Sequence, residues 1–149
     1  MTPETRDALN KRVVQAAQAA LTVQAYVSCV DVLIGMGWLQ PRSHERWRRG
    51  EVDCLERVVE ANLSRISAAM KLFRAWATAQ GLEPRETQYS GWKPRRGPLR
   101  FSRSGEAAIE RAYRTHWVSK KLIERAQEKR AEPKMTAEIA VDMAERGEV

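Results

Sequence analysis

The stretch Trp92-Lys93-Pro94-Arg95-Arg96-Gly97-Pro98-Leu99-Arg100-Phe101-Ser102-Arg103 sets cations among aromatic rings. Lys93, Arg95, Arg96, Arg100 and Arg103 alternate with Trp92 and Phe101, and Tyr89 stands just ahead of them. No acidic residue occurs between Glu86 and Glu106. Cationic side chains neutralise phosphates, and an aromatic face stacks on an unpaired base. The two together are what binders of RNA and single strands use. Prolines and glycines keep such a loop extended and reachable. A plainer reading uses Trp92 and Phe101 as core plugs and leaves the cations to water.

A second basic cluster lies on a short helix expected from Pro41 to Arg49, with Pro41 at its first position and Gly50 just past its end. It carries Arg42, Arg46, Arg48 and Arg49. Asp31 to Gly50 reads as a short helix, a glycine turn through Gly35-Met36-Gly37-Trp38-Leu39, and a second helix closing on Trp47-Arg48-Arg49-Gly50. This resembles the helix-turn-helix pattern, and its close resembles that of repressor-type regulators. The spacing from Gly37 to Trp47 is about one residue longer than the common pattern. The resemblance implies that Arg42, Ser43, Arg46 and Arg49 face DNA, where arginine suits guanine edges and phosphates. The alternative is a helical corner with core tryptophans and solvated arginines.

Other reactive side chains do not assemble into known apparatus. His116 stands in Arg111-Ala112-Tyr113-Arg114-Thr115-His116-Trp117, where basic neighbours should lower its pKa, and it reads as a packed or surface histidine rather than a general base or metal ligand. His44, His116, Cys29 and Cys54 lack the close spacing of metal ligands, so neither metal nor other cofactor is expected. Phosphate-binding glycine loops and the Gly-x-Ser-x-Gly elbow are absent from the sequence. Glu56 beside Arg57, Glu124 beside Arg125 and Glu128 beside Lys129 read as solvated surface pairs. The chain is therefore read as a non-enzymatic binder.

The elements that must position these residues follow from periodicity and caps. Thr2 and Pro3 open a helix to about Gln24, with Leu9, Val13, Ala16, Ala20 and Leu21 on its apolar stripe. Ser28 and Asp31 form a capping box for a helix to Met36. From Asp53 to Gln80 a three-four spacing through Val52, Leu55, Val59, Asn62, Ile66, Ala69, Phe73 and Trp76 predicts one continuous helix. At 1.5 Å per residue it would be roughly 40 Å long. Asn62 would be a polar register-setter on that seam, which either packs within the chain or pairs two copies as a homodimer. Thr87-Gln88-Tyr89 and Leu99-Arg100-Phe101 read as short extended segments flanking a loop. A helix resumes from Gly105 to His116, another runs from a Ser119 cap to Ala131, and a last one from Thr136 to Arg146 shows Ile139, Ala140 and Met143.

The chain has 149 residues, a formal net charge of +7 and a pI near 9.8. That length suits one domain, able to bury roughly two-thirds of its unfolded surface. The positive surplus favours polyanions and says nothing of fold. Two cysteines make no disulfide framework and point to a reducing, cytoplasmic compartment, and no segment is long and apolar enough for a membrane. The expectation is an all-α chain: a single-domain helical bundle on one long central helix, covering 1–131. It would carry an irregular basic loop over 81–104, room for one short β-hairpin, and a weakly attached tail over 132–149. The expected function is DNA or RNA binding through Arg42, Arg46, Arg48, Arg49, Trp92, Lys93, Arg95, Arg96, Arg100 and Arg103. The alternative is a protein-interaction or scaffold role for the long helix.

Overall fold

The computed structural model describes residues 2–92 and 97–129. The chain divides into two compact units, Met1–Val118 and Ser119–Val149. Lys93, Arg95, Arg96 and the expected helix from Thr136 to Arg146 lie outside the described residues.

Helix α1 spans Pro3–Val23, and the Thr2 side chain caps it by accepting from the Thr5 amide at 3.2 Å. Helix α2, Cys29–Gly35, starts with a complete capping box. The Asp31 amide donates to Ser28 Oγ, and the Ser28 amide donates to Asp31 Oδ2. Helix α2 packs on α1. Gly35 makes the close approach: a Cβ there would stand 2.8 Å from the Ala16 Cβ. Gly35→Ala is accordingly expected to cost about 1–3 kcal/mol by forcing the two helices apart. Urea denaturation measures this, and a variant as stable as wild type would show that α1 and α2 do not meet at Gly35.

Helix α3, Pro41–Arg48, follows a turn in which Gly37 takes a positive φ of 78°. Its packing partner is a short 3-10 turn, Leu55–Val58, whereas α2 packs on α1 and on helix α4, Leu63–Ala79. Helix α5 spans Ala107–Tyr113.

The fold is mixed α and β, which corrects the expected all-α bundle. Strands β1 (Tyr26–Val27), β2 (Glu83–Glu86) and β3 (Thr115–Val118) form an antiparallel sheet in the order β1-β3-β2. Val118 faces Tyr26 on one side and Glu83 on the other, and Pro84 faces Trp117. Pro84 lacks an N–H, and β2 tolerates it because it is an edge strand. The sequence from Thr115 to Val118 is β-branched and aromatic, so it leaves helix α5 and extends.

The long central helix is also corrected. Between Asp53 and Gln80 only Leu63–Ala79 is α-helical. Upstream, backbone donors find partners elsewhere in the chain. Leu55 N donates to Arg100 O, Glu56 N to Phe101 O, and Glu60 N to Trp38 O. Asn62 sets no helix-pair register: its side chain accepts from the Arg65 amide and caps α4. A short polar side chain bonds its own backbone more readily than it sits mid-helix. The remaining seam residues Ile66, Ala69 and Phe73 are buried in the core, together with Trp47, Leu33, Leu55 and Phe101.

Two glutamates hold the segment from Phe101 to Arg103. Glu110 Oε1 accepts from the Phe101 amide at 2.9 Å, and its Oε2 accepts from the Ser102 amide at 2.6 Å and Ser102 Oγ at 2.5 Å. Glu56 Oε1 accepts from the Arg103 amide at 2.8 Å, and its Oε2 accepts from the Tyr113 hydroxyl at 2.7 Å. Glu56, read from sequence as solvated, is only 8% exposed. Cys29 and Cys54 are free and buried. Among the described residues no helix is long and apolar enough to cross a membrane.

In the second unit residues 120–129 are helical. Ser119 Oγ caps them by accepting from the Leu122 amide at 3.2 Å.

Candidate functional site

Helix α3 lies beside the described ends of the basic loop, at Trp92 and Arg100. The Trp92 amide donates to the Arg48 carbonyl at 2.8 Å, and the buried Trp47 indole donates from Nε1 to the Arg100 carbonyl at 2.8 Å. The loop is drawn together at its neck by Leu99 N donating to Tyr89 O at 2.8 Å and by a β-bridge between Ser90 and Pro98. The two segments expected to be extended therefore pair at one point.

A cleft of about 280 Å³ opens beside this junction. Tyr26 comes from β1, Asp31 from α2, His44 and Arg48 from α3, Tyr89 and Trp92 from the loop, and His116 from β3. The Arg48 guanidinium stands 5.2 Å from the Tyr89 ring centre and 5.8 Å from that of Trp92. Its Nε and Nη1 are buried and, among the described residues, have no hydrogen-bond partner. The aromatic faces stabilise its charge but offer those N–H groups no lone pair.

The cleft's other polar groups are mostly engaged. Tyr89 Oη and His116 Nε2 are hydrogen-bonded at 2.7 Å, and the His116 ring stacks on Tyr26 at 4.8 Å. Asp31 Oδ2 accepts from Gln24 Nε2, the Ser28 amide and Ser28 Oγ. Burial pulls His116 below its ordinary pKa of 6.5, against the opposing pull of Asp31. Burial does the same to His44, helped by the Arg48 charge. The basic neighbourhood inferred from sequence does not contribute at His116: exclusion of water alone lowers its pKa. Burial pushes the Tyr89 hydroxyl up to about 12.

The ten residues singled out from sequence distribute unevenly. Arg48 and Trp92 meet at the cleft, and the Trp92 side chain is 52% exposed there. Arg42, Arg46 and Arg49 are exposed on α3 and its C-cap, and Arg49 pairs with Glu45 at 3.6 Å. Arg100 is occupied internally. Its Nε donates to Ser102 O at 2.8 Å and its Nη2 to Arg103 O. Arg103 borders a different opening, an apolar groove of about 500 Å³ with Leu63, Met70 and Ile109.

Sequence reasoning missed Tyr26, Asp31 and His44 as site residues and set His116 aside. Asp31 was legible only as a cap. Nothing local marks the others: pairing of β1 with β3 brings Tyr26 to His116, and packing of α3 brings in His44. Among the described residues no three His, Cys, Asp or Glu side chains gather to hold a metal ion.

Comparison of the chain with protein-family models, with curated proteins and with solved structures finds no match.

Proposed function

We propose that the chain binds nucleic acid, DNA or RNA, in single-stranded form. The observation that carries this reading is the exposed Trp92 ring, tied through its amide to α3, with the Arg48 guanidinium against it. An aromatic face open to solvent accepts a base. Trp92 meets the His44 and Arg48 side of α3, while the exposed cations Arg42, Arg46 and Arg49 share the other side of that helix and can take phosphates further along a strand. A duplex buries its base faces and offers Trp92 nothing to stack on, so the arrangement favours unpaired strands. Lys93, Arg95 and Arg96 extend the same run of charge in sequence.

Binding by phosphate neutralisation releases counterions and must weaken steeply with salt. A mobility-shift titration at two salt concentrations, with single-stranded and duplex probes, is expected to show tighter single-strand binding and a marked loss at the higher salt. Trp92→Ala should weaken single-strand binding roughly ten-fold, from a stacking contribution of about 1–3 kcal/mol per base. No shift with either probe at low salt would overturn the reading.

A second reading, a protein-interaction role, is favoured by the groove between α4 and α5. Leu63 there is 52% exposed, and Ile109 adjoins it. An apolar opening of this kind marks contact surfaces. Sedimentation of the purified chain distinguishes self-association at this groove from a monomer.

A further inference from the structure

We infer that the cleft under Trp92 holds a phosphate monoester, the charged end of a nucleic-acid strand whose terminal base lies on the Trp92 ring. This inference rests on the single-strand reading and deepens it. Three observations carry it.

The first is Arg48. Arg48 is half-buried, and its Nε and Nη1 lie out of water without an acceptor among the described residues, a costly arrangement, since each buried donor without an acceptor loses its hydration. Its planar array of donors matches the oxygens of a phosphate, which an aromatic ring cannot replace. Asp31, the carboxylate lining the cleft, is engaged by Gln24 and Ser28 through Oδ2 and forms no ion pair with Arg48 among the described residues.

The second is size. About 280 Å³ lies just below the usual range of ligand sites, room for a phosphate and its sugar rather than a folded nucleotide chain. The cleft is open to solvent and admits a strand end. An internal diester has chain on both sides and suits the open surface of α3.

The third is charge. A monoester carries about −1.5 to −2 at neutral pH, more than a diester. His44 and His116 both line the cleft, and neither belongs to a metal cluster. When they take protons, they and Arg48 offset both the ligand and Asp31. The groups that face them are few. Asp31, Tyr89 and the stacked Tyr26 ring face His116, with Arg85 opposite on β2 and itself paired with Glu83 at 3.7 Å. Arg48, Asp31 and Glu45 face His44. Burial holds both histidines below their ordinary pKa, and an entering dianion favours their protonated forms.

The test compares wild-type binding of one short oligonucleotide phosphorylated at either end with the same strand ending in hydroxyls, by fluorescence anisotropy. A nucleoside monophosphate and inorganic phosphate serve as competitors. The phosphorylated strand is expected to bind about ten-fold more tightly, the worth of one charge-assisted hydrogen bond. Its advantage should peak near pH 6, about the second phosphate pKa. It should shrink as pH rises and the histidines stay neutral. Arg48→Gln should erase the difference between ends, and His44→Gln should flatten its pH profile. Equal affinity for both ends overturns the inference and leaves strand binding standing. Monophosphate binding without strand binding supports the pocket as a free-nucleotide site and overturns the single-strand reading. No binding of any probe overturns both.

Discussion

Trp47→Ala is expected to cost about 3–5 kcal/mol of stability, the range for deleting a large core aromatic. The indole is 0% exposed and packs on Phe101 at 5.0 Å and Tyr89 at 5.8 Å between ring centres. It also supplies one of the hydrogen bonds that attach α3 to the segment after the loop. Domains of this size have about 5–15 kcal/mol in hand, so the variant should remain folded in part or not at all. Trp47→Phe should cost less, about 1–2 kcal/mol, because the Arg100 carbonyl keeps its second donor, the Leu55 amide at 3.2 Å. Urea denaturation followed by circular dichroism gives both values. An alanine variant within about 1 kcal/mol of wild type would mean that the site is not hung on this residue.

Glu56→Ala should come next, at about 2–5 kcal/mol. It strands two donors at once, the partly buried Arg103 amide and the buried Tyr113 hydroxyl, and a buried donor left without an acceptor costs about 1–3 kcal/mol. Burial pushes the Tyr113 hydroxyl far above its ordinary pKa, and the bond to Glu56 adds to the shift, so it stays a proton donor throughout the accessible pH range. Glu56→Gln separates hydrogen bonding from charge. Its carbonyl oxygen still accepts from Arg103, its amide can donate to the tyrosine oxygen, and the loss should fall to about 1 kcal/mol. If glutamine proved as harmful as alanine, the negative charge rather than the hydrogen bonds would hold the Phe101–Arg103 segment.

The helix starts were legible because their signals are local. Thr2 with Pro3, Ser28 with Asp31, and Pro41 with Gly50 all lie within one or two turns of the element they define. The same rule misled at Asn62. The spacing from Val52 to Trp76 fits a continuous helix, but Leu55 and Glu56 give their amides to Arg100 and Phe101, partners that no local window contains. The strands were invisible for a related reason. Tyr26–Val27 is two residues long, and Glu83–Glu86 is polar and carries a proline. The first is too short to read as a strand and the second lacks strand-forming residues, and both are stabilised by pairing with Thr115–Val118. At the site, composition found the cations and Trp92, since alternation of charge and aromatic is written in sequence. It could not find the cleft, whose Tyr26, Asp31 and His116 converge only when the sheet closes.

The strand order has a consequence for synthesis. The central strand of the sheet, β3, is the last of the three to leave a ribosome, and both of its neighbours come earlier. Until Thr115–Val118 emerges, β1 and β2 are two unpaired edges with their backbone groups open to other chains. The first unit therefore cannot complete its fold vectorially. Its β-pairings are long-range, and long-range pairing is slow. A nascent or truncated chain ending before Val118 should hold α1 and α2 together yet lack both the sheet and the cleft, and it would be the species most exposed to aggregation and to chaperone capture.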